Sequence, residues 1–480
     1  MLHIPVLRRG QPYESAERAE ILHHATGELV ALVSQANSGM VRRDILRMRD
    51  DVLEAFTVAD LIEMSRKAAE LFWNADLPLG DPGGETQSFN AYIKQLSATT
   101  GMPVTYCRRN AEKIRKVLDE METVVGGLTR GLELEILDRG YGEREGHMLS
   151  FFRAGRIFGA VLPSNSPGVH SLWVPAIAFK APVVLKPGRE EPWTPLRIIE
   201  AFAAAGVPRE AFGFYPTDHA GAGELLRSVD RSMLFGGGAT VRPYENDPRV
   251  EVHGPGYSKI VLGDDCADDW EEHLDLMASS IAANGGRSCI NASGVWTPRH
   301  GRAIAEALAK RLAKVEALPA DDPKAEIAAF NNPAVAEAIS ATIDRDLSVQ
   351  GAIDLTEQTR GSPRLVRRGR CAWLLPTIVW CEDREHPLAN REFLFPYAAV
   401  VECPTADFLD AIGPSLIVSA LTAEPELSAA LMRSLIVDRL NIGPIPTIKL
   451  DWLQPHEGSI VEFLFRARAY QVTEERMATV

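Results

Sequence analysis

The chain has 480 residues, of which 46% are hydrophobic and 24% are charged, and its formal net charge is −14. This composition is that of a folded globular protein, and at roughly 100 to 200 residues per domain the length predicts two or three domains. The negative charge argues against nucleic acids and anionic membranes as partners, and because no apolar run resembles a signal peptide or a membrane span, we predict a cytoplasmic protein.

Strands and helices alternate between residues 155 and 240, where short apolar segments end at turn residues. The pattern predicts strands at 158–163, 181–187, 212–216 and 231–238. It predicts a helix at 171–179, and another from Thr194, an N-cap followed by Pro195, to a stop at Gly206. Such alternation is typical of a parallel sheet, whose ligands bind at the carboxyl ends of the strands. We therefore expect functional residues directly after each strand.

A second unit begins near residue 253. Apolar residues at helical spacing predict a helix within 269–286 that ends at the Gly285-Gly286 pair, then a strand within 289–298 and a helix at 301–315. Two segments stand apart from this alternation. Residues 132–152 alternate apolar and polar side chains around a glycine-rich centre and predict a long hairpin, and 461–471 predict a late strand.

The six cysteines are far apart and include no CxxC pair, which disfavours a zinc cluster and a disulfide framework. The histidines at 170, 219 and 253 show no metal-ligand spacing either, so we predict no metal site and disfavour a metal-dependent hydrolase. Cys289 differs from the other cysteines in its surroundings. It follows a predicted helix end and a glycine pair, where the backbone can approach a substrate closely and the sulfur is exposed.

The segment from Asn284 to Cys289 resembles the N-x-G-x-x-C segment of the aldehyde dehydrogenase superfamily, whose cysteine is the nucleophile. Leu162 to Pro167 resembles the superfamily's P-W-N-x-P segment. The resemblance implies that the Asn165 amide and the Cys289 backbone N–H form the oxyanion hole, which supplies preorganised donors to the alkoxide. It also implies that Pro163 and Ser164 contact the cofactor.

Three further segments follow in the order that the superfamily has them, so the resemblance covers nearly the whole chain. Lys186 to Arg189 resembles the K-P-x-E segment that holds the adenosine ribose, and the segment from Phe235 through Gly237 and Gly238 resembles the F-T-G-S segment beside the pyrophosphate. The segment 390–396 resembles N-x-E-x-F-G-P, which implies that Glu392 holds the nicotinamide ribose. The implied cofactor is NAD or NADP. Residues 21–37 resemble the superfamily's opening hairpin.

Arg189 stands where the superfamily usually has a glutamate that binds the ribose hydroxyls. A cation at the position of a 2′-phosphate favours NADP over NAD. The alternative is that Arg189 points to solvent and that Glu190 or Glu191 takes the ribose.

The general base is the largest departure from the superfamily. When the strand that follows is aligned with the corresponding strand of the superfamily, Val252 stands at the base position, and a one-residue shift places Glu251 there. His253 and Glu457 are further candidates. The superfamily's P-F-G-G segment is missing from this chain. If a carboxylate such as Glu251 activates water, the product is a carboxylic acid. Without a base, coenzyme A resolves the thioester and the product is an acyl-CoA. A catalytically inactive relative is a third alternative, against which the presence of Cys289 and Asn165 argues.

The implied fold is α/β, with a Rossmann-type cofactor domain (1–127 and 153–252), an α/β catalytic domain (253–440) and a β-hairpin oligomerisation element (128–152 and 461–480). Strand edges that pair across a two-fold axis predict a homodimer or homotetramer. The expected substrate is a small aldehyde. We expect its entrance to be lined by Phe151, Trp173, Tyr397 and the Trp452 region.

Overall fold

The computed structural model describes residues 1–144, 147–451, 454 and 458–473. Two seven-stranded sheets dominate it, and both are mainly parallel, which confirms the predicted α/β class. In the first sheet the only antiparallel pairings among the described residues are those of Val6–Arg8 with its two neighbours, Phe212–Phe214 and Gln11–Tyr13. Its strands are, in spatial order, Val250–His253, Arg231–Phe235, Phe158–Val161, Val183–Lys186, Phe212–Phe214, Val6–Arg8 and Gln11–Tyr13.

The second sheet has one antiparallel edge strand, Ala352–Asp354. Its strands are, in spatial order, Ala352–Asp354, Thr377–Cys381, Tyr397–Glu402, Gly294–Thr297, Lys259–Leu262, Ser415–Leu421 and Val437–Ile442. The central strands are buried along their whole length, as parallel strands covered by helices on both faces must be.

Smaller sheets and the helices complete the described part of the chain. One small sheet pairs Leu2–Ile4, Leu29–Ser34 and Arg18–Leu22; another pairs Phe465–Ala467, His147–Arg153 and Tyr141–Arg144; two-stranded pairs are Leu77–Pro78 with Thr86–Gln87 and Leu365–Arg368 with Cys371–Leu374. The α-helices are Ser38–Ile45, Val58–Asn74, Phe89–Thr100, Val104–Asp119, Met121–Leu128, Leu134–Arg139, His170–Trp173, Pro175–Ala178, Trp193–Ala205, His219–Ser228, Gly238–Val241, Leu274–Ala282, Gly301–Leu312, Pro333–Leu347, Leu355–Arg360, Phe408–Ala411, Pro425–Arg433 and Ile460–Leu464. Within the described ranges no helix is long and apolar enough to cross a membrane.

Two predicted elements are wrong in part. Leu134–Arg139 is a helix, not the first arm of a long hairpin, because Ile136 and Leu137 are buried and Gly140 ends the turn at φ 74°. The hairpin is confined to Tyr141–Arg144 and His147–Arg153. The late segment begins as the helix Ile460–Leu464, whose apolar residues are buried at helical spacing, and only then becomes a strand.

The helix that was predicted to start at Thr194 begins at Trp193, after Pro192. The buried Glu191 carboxylate accepts a hydrogen bond from the Thr194 backbone N–H at 2.8 Å and does the capping instead. Gly206 ends the helix in a left-handed conformation, φ 114°, as predicted. The domain bounds and the pairing between subunits stay predictions.

Candidate active site

Neighbouring strands of the first sheet end side by side, and their carboxyl ends carry Pro163, Phe235 and His253. The register pairs Phe235 with His253 and Val161 with Leu234, so the residues that follow these strands meet at one edge of the sheet. The loop that carries Cys289 reaches this edge from the second sheet. The site therefore forms where the two sheets face each other, as ligand sites of parallel sheets do.

A run of left-handed residues bends the chain before Cys289. Asn284, Gly285 and Gly286 have φ values of 56°, 67° and 67°. A Cβ on Gly286 would lie 2.3 Å from the Pro396 backbone nitrogen, so only glycine fits there. After the bend, the Ser258 hydroxyl donates to the Cys289 carbonyl oxygen at 2.8 Å. The nucleophile candidate thus sits on a loop that is held from both sides.

Cys289 lies between two adjoining cavities. The inner cavity extends from Cys289 to Lys113, Glu251 and Arg439, and the glycine cleft extends from Cys289 to Gly237 and Glu392. The space within them, open solvent at the mouths included, is about 910 and 1010 Å³. Both are lined by Ser166, Val169, Phe235, His253, Ser288 and Cys289. Cys289 therefore lies at the boundary between the two cavities.

Asn165 is held beside the cysteine loop. Its side-chain amide donates to the Arg287 carbonyl oxygen at 2.7 Å. A primary amide has two N–H groups, and among the described residues the second has no acceptor, which leaves it for a ligand in the glycine cleft that Asn165 lines. The sequence-predicted pair, Asn165 and Cys289, is thus brought together.

Asn284 connects the two motifs. Its amide donates to the hydroxyls of Ser288, at 3.1 Å, and Ser166, at 3.3 Å, and its carbonyl oxygen accepts from the Asn110 amide at 2.8 Å. Because each partner belongs to a different segment of the chain, this network fixes the cysteine loop relative to the Asn165 segment.

Burial raises the pKa of the Cys289 thiol to about 12, and the negative charge of Glu392 adds to this effect, whereas the positive charge of Lys113 opposes it. Burial also raises the pKa of Glu392 to about 7. This carboxylate accepts hydrogen bonds from the backbone N–H groups of Gly256, at 3.1 Å, and Tyr257. At neutral pH the Cys289 thiol is therefore protonated.

Glu251 and His253 project from the same face of one strand into the inner cavity. The Glu251 carboxylate lies 3.1 Å from the His253 ring nitrogen Nε2, which is an ion pair when His253 is protonated, and the His253 ring stacks on Phe235 with 4.4 Å between the ring centroids. Val252 projects to the opposite face and packs against the apolar cluster there. Of the two alignments, the structure thus places Glu251, and not Val252, on the cavity side, while Glu457 lies outside the described residues.

The predicted adenosine segment packs closely on the Asn165 segment. A Cβ on Gly188 would lie 2.4 Å from the Ser164 hydroxyl, which also accepts from the Glu190 backbone N–H at 3.3 Å. Lys186 is largely buried, and burial lowers its pKa. In front of Gly237 and Gly238 the space is open, since a Cβ on either glycine would meet no atom within 4 Å. Bare backbone thus faces the cleft.

Arg189 is exposed and has no hydrogen bond or ion pair to any residue that the structure describes. Glu191 is one of the residues predicted to bind the ribose in place of Arg189. It is buried, and its carboxylate is hydrogen-bonded to the His170 ring nitrogen Nε2 at 2.8 Å. Glu191 is therefore engaged within the protein, and Glu190 is the remaining acidic alternative.

Sequence reasoning missed Lys113 and Arg439 and misplaced the entrance. Trp173 and Tyr397 are fully enclosed in the core, and neither they nor Phe151 line the two cavities; Trp452 lies outside the described residues. Lys113 comes from the helix Val104–Asp119, far from any motif. The available signal was a lysine three residues after the inward-facing Asn110 of an amphipathic helix.

Comparisons with known proteins show to which family the chain belongs. The model of the aldehyde dehydrogenase family matches residues 14–412. A Staphylococcus haemolyticus protein assigned to the aldehyde dehydrogenases is 23% identical over 409 residues, covering 81% of this chain and 78% of that protein. The aminoacetaldehyde dehydrogenase of Pseudomonas aeruginosa is 30% identical over 205 residues, which cover 39% of this chain and 40% of the relative.

Solved structures share the fold at low identity. The NAD-dependent aldehyde dehydrogenase of Sinorhizobium meliloti superposes with a TM-score of 0.75 at 18% identity, covering 98% of this chain and 95% of the other. The Bacillus cereus aldehyde dehydrogenase, solved with NAD⁺, gives 0.75 at 15% identity and covers 97% and 96%. The match of the family model to most of the chain shows that this protein belongs to the aldehyde dehydrogenase family of oxidoreductases.

Proposed function

We propose that this enzyme oxidises an aldehyde to a carboxylic acid, with NAD or NADP as the hydride acceptor and Cys289 as the nucleophile. The observation that carries the proposal is the position of Cys289, which lines both the inner cavity and the glycine cleft. An aldehyde in the cavity and a cofactor in the cleft would meet at this sulfur.

The proposed reaction has two halves. The Cys289 thiol releases its proton to solvent, and the thiolate attacks the aldehyde carbon to form a thiohemiacetal alkoxide, whose carbon then loses a hydride and becomes a thioester. Water cleaves the thioester, which releases the acid and returns the thiol. Asn165 donates its second N–H, together with the Cys289 backbone N–H, to the oxygen that carries negative charge in both halves.

The residues of the glycine cleft fit a dinucleotide. Bare backbone at Gly237 and Gly238 allows close approach, Lys186 supplies a cation, and the Glu392 carboxylate keeps further lone pairs for ribose hydroxyls. Bound in the cleft, NAD or NADP would supply the hydride acceptor. We propose that the enzyme prefers NADP to NAD because Arg189 would pair with the 2′-phosphate. The Arg189 side chain is exposed and has no hydrogen bond or ion pair among the described residues.

We assign the role of base to Glu251, supported by its ion pair with His253 on the cavity wall. The pair can take a proton from water as the water attacks the thioester. The alternative reaction, in which coenzyme A takes the acyl group, needs no such base. The two reactions differ in their products.

The first experiment measures NAD and NADP reduction with a panel of aldehydes, with and without coenzyme A, and identifies acid or acyl-CoA by mass spectrometry. Cys289→Ala is expected to abolish turnover while cofactor binding persists. Cys266→Ala is the matched control, since this half-buried thiol lines neither cavity. Turnover by Cys289→Ala at the wild-type rate contradicts the mechanism.

The role of Glu251 is tested by stopped-flow measurement of Glu251→Gln. We expect one equivalent of reduced cofactor per site in a burst, followed by steady-state hydrolysis that is about 100-fold slower or more. The exposed Glu245→Gln is the control. Wild-type steady-state turnover by Glu251→Gln excludes this base, and acyl-CoA formation at equal rates in both proteins favours the coenzyme A reaction.

A further inference from the structure

The inner cavity contains two buried cations that the proposed chemistry does not use. Lys113 enters from the helix Val104–Asp119 and Arg439 from the edge strand Val437–Ile442, and both line the cavity together with Cys289. Apolar side chains such as Val124, Leu172 and Met233 form much of the remaining wall. A neutral aldehyde needs no cation in such a wall, because burying a charge is costly.

The two cations differ in their carboxylate neighbours among the described residues. The negative charge of Asp451 acts on Arg439. Lys113 has no carboxylate within 4.0 Å among the described residues. Burial lowers the pKa of Lys113 to about 8, and the nearby positive charge of Arg439 adds to this effect. Two like charges buried close together are stabilised when an anion binds between them.

We infer that Lys113 and Arg439 form a carboxylate subsite and that the substrate is a short oxo acid, with an aldehyde at one end and a carboxylate at the other. The inference rests on the proposed function of Cys289. Among the described residues only Lys113 of the two cations lacks a nearby carboxylate, and one such cation matches a monoanion better than a dianionic phosphate. Lys113, Arg439 and Cys289 line the same cavity, so the subsite lies near Cys289 and the carbon chain between the aldehyde and the carboxylate is short.

Matched substrates test the subsite. We compare 4-oxobutanoate with its methyl ester, which has the same aldehyde but no charge, and use the ratio of their kcat/KM values. We expect wild-type enzyme to favour the acid, and Lys113→Met to lower the ratio by about 10- to 100-fold, since a hydrogen bond between charged groups is lost. Lys116→Met, on the exposed face of the same helix, is expected to leave the ratio unchanged.

A ratio near one in wild-type enzyme overturns the inference. An equal loss of kcat/KM for both substrates in Lys113→Met also overturns it, because Lys113 would then act on the Cys289 thiol and not on the substrate carboxylate. If wild-type enzyme prefers an aldehyde that bears a phosphate to one that bears a carboxylate, the assignment of a monoanionic substrate is contradicted. If neither substrate turns over in wild-type enzyme, the proposed function fails rather than the subsite.

A binding measurement distinguishes failure of the carboxylate subsite from failure of the proposed function. Butanedioate is expected to protect Cys289 from iodoacetamide in wild-type enzyme and about 10-fold less well in Lys113→Met, whereas butane-1,4-diol protects neither. Equal protection by the diol and the diacid overturns the subsite without reference to turnover.

Discussion

The two charges beside Cys289 should move its pKa in opposite directions, and chemical modification can measure this. At a pKa of about 12, about 10⁻⁴ of the thiol is ionised at pH 8, against about one quarter of an ordinary thiol of pKa about 8.5. A more basic thiolate is also more nucleophilic, with a Brønsted slope of about 0.4 to 0.5, which recovers about 30-fold. Cys289 is thus expected to react about 100-fold more slowly than an unperturbed cysteine.

The assay is iodoacetamide modification of the Cys289 peptide between pH 7 and 10.5, quantified by mass spectrometry. The wild-type rate is expected to rise about tenfold per pH unit up to pH about 10 without a plateau. A unit charge that acts over about 10 Å at an effective dielectric constant of about 20 shifts the pKa of the thiol by about one unit. After allowance for nucleophilicity, Lys113→Met is expected to slow modification about three- to fourfold at pH 7, with the effect fading above pH 8 because the pKa of Lys113 is about 8. Glu392→Gln is expected to accelerate modification by a similar factor at pH 8 and above.

The sign of the Glu392 effect depends on pH. Because the pKa of Glu392 is about 7, its carboxylate is charged at pH 8 and above and disfavours the thiolate there. Below pH 6 it is protonated, so Glu392→Gln changes little. The exposed substitutions Lys116→Met and Glu385→Gln are the controls. A plateau below pH 9 in wild-type enzyme, or shifts of the same sign in both variants, would refute the assigned causes.

Three further predictions concern stability and cofactor choice. Gly286→Ala places a Cβ 2.3 Å from the Pro396 nitrogen at φ 67° and is expected to cost about 2 to 4 kcal/mol in urea unfolding; an unchanged midpoint contradicts this. Arg197→Met removes hydrogen bonds to three backbone carbonyls and is expected to cost about 3 kcal/mol in the same assay. Arg189→Glu is expected to move preference from NADP toward NAD, and an equal KM ratio refutes that role.

Local signals predicted the elements around the site. Phe158–Val161 and Val183–Lys186 are short apolar runs that end at prolines, and both are strands in the predicted places. The Gly285-Gly286 pair predicted the end of a helix and close backbone approach; the helix ends earlier, at Ala282, while both glycines have positive φ values and Gly286 lies against the backbone of Pro396. These features depend on neighbours in sequence, which is why composition and turn chemistry were sufficient.

The residues that sequence reasoning missed depend on distant contacts. Lys113 and Arg439 are more than 300 positions apart, and only the packing of the two sheets brings both into the inner cavity. The helix Leu134–Arg139 has an apolar pattern short enough to fit either a strand or a helix, and burial of Ile136 and Leu137 decides between them.

The candidate base shows how one position changes a functional assignment. Side chains alternate along a strand, so a one-residue shift in alignment exchanges Val252 for Glu251 on the cavity wall. The neighbouring strand settles the face: Phe235 pairs with His253, and both rings line the cavity, so Glu251, two residues before His253, must face it as well. The question of water or coenzyme A as acyl acceptor therefore turns on a carboxylate whose position follows from strand pairing, and Glu251→Gln addresses it directly.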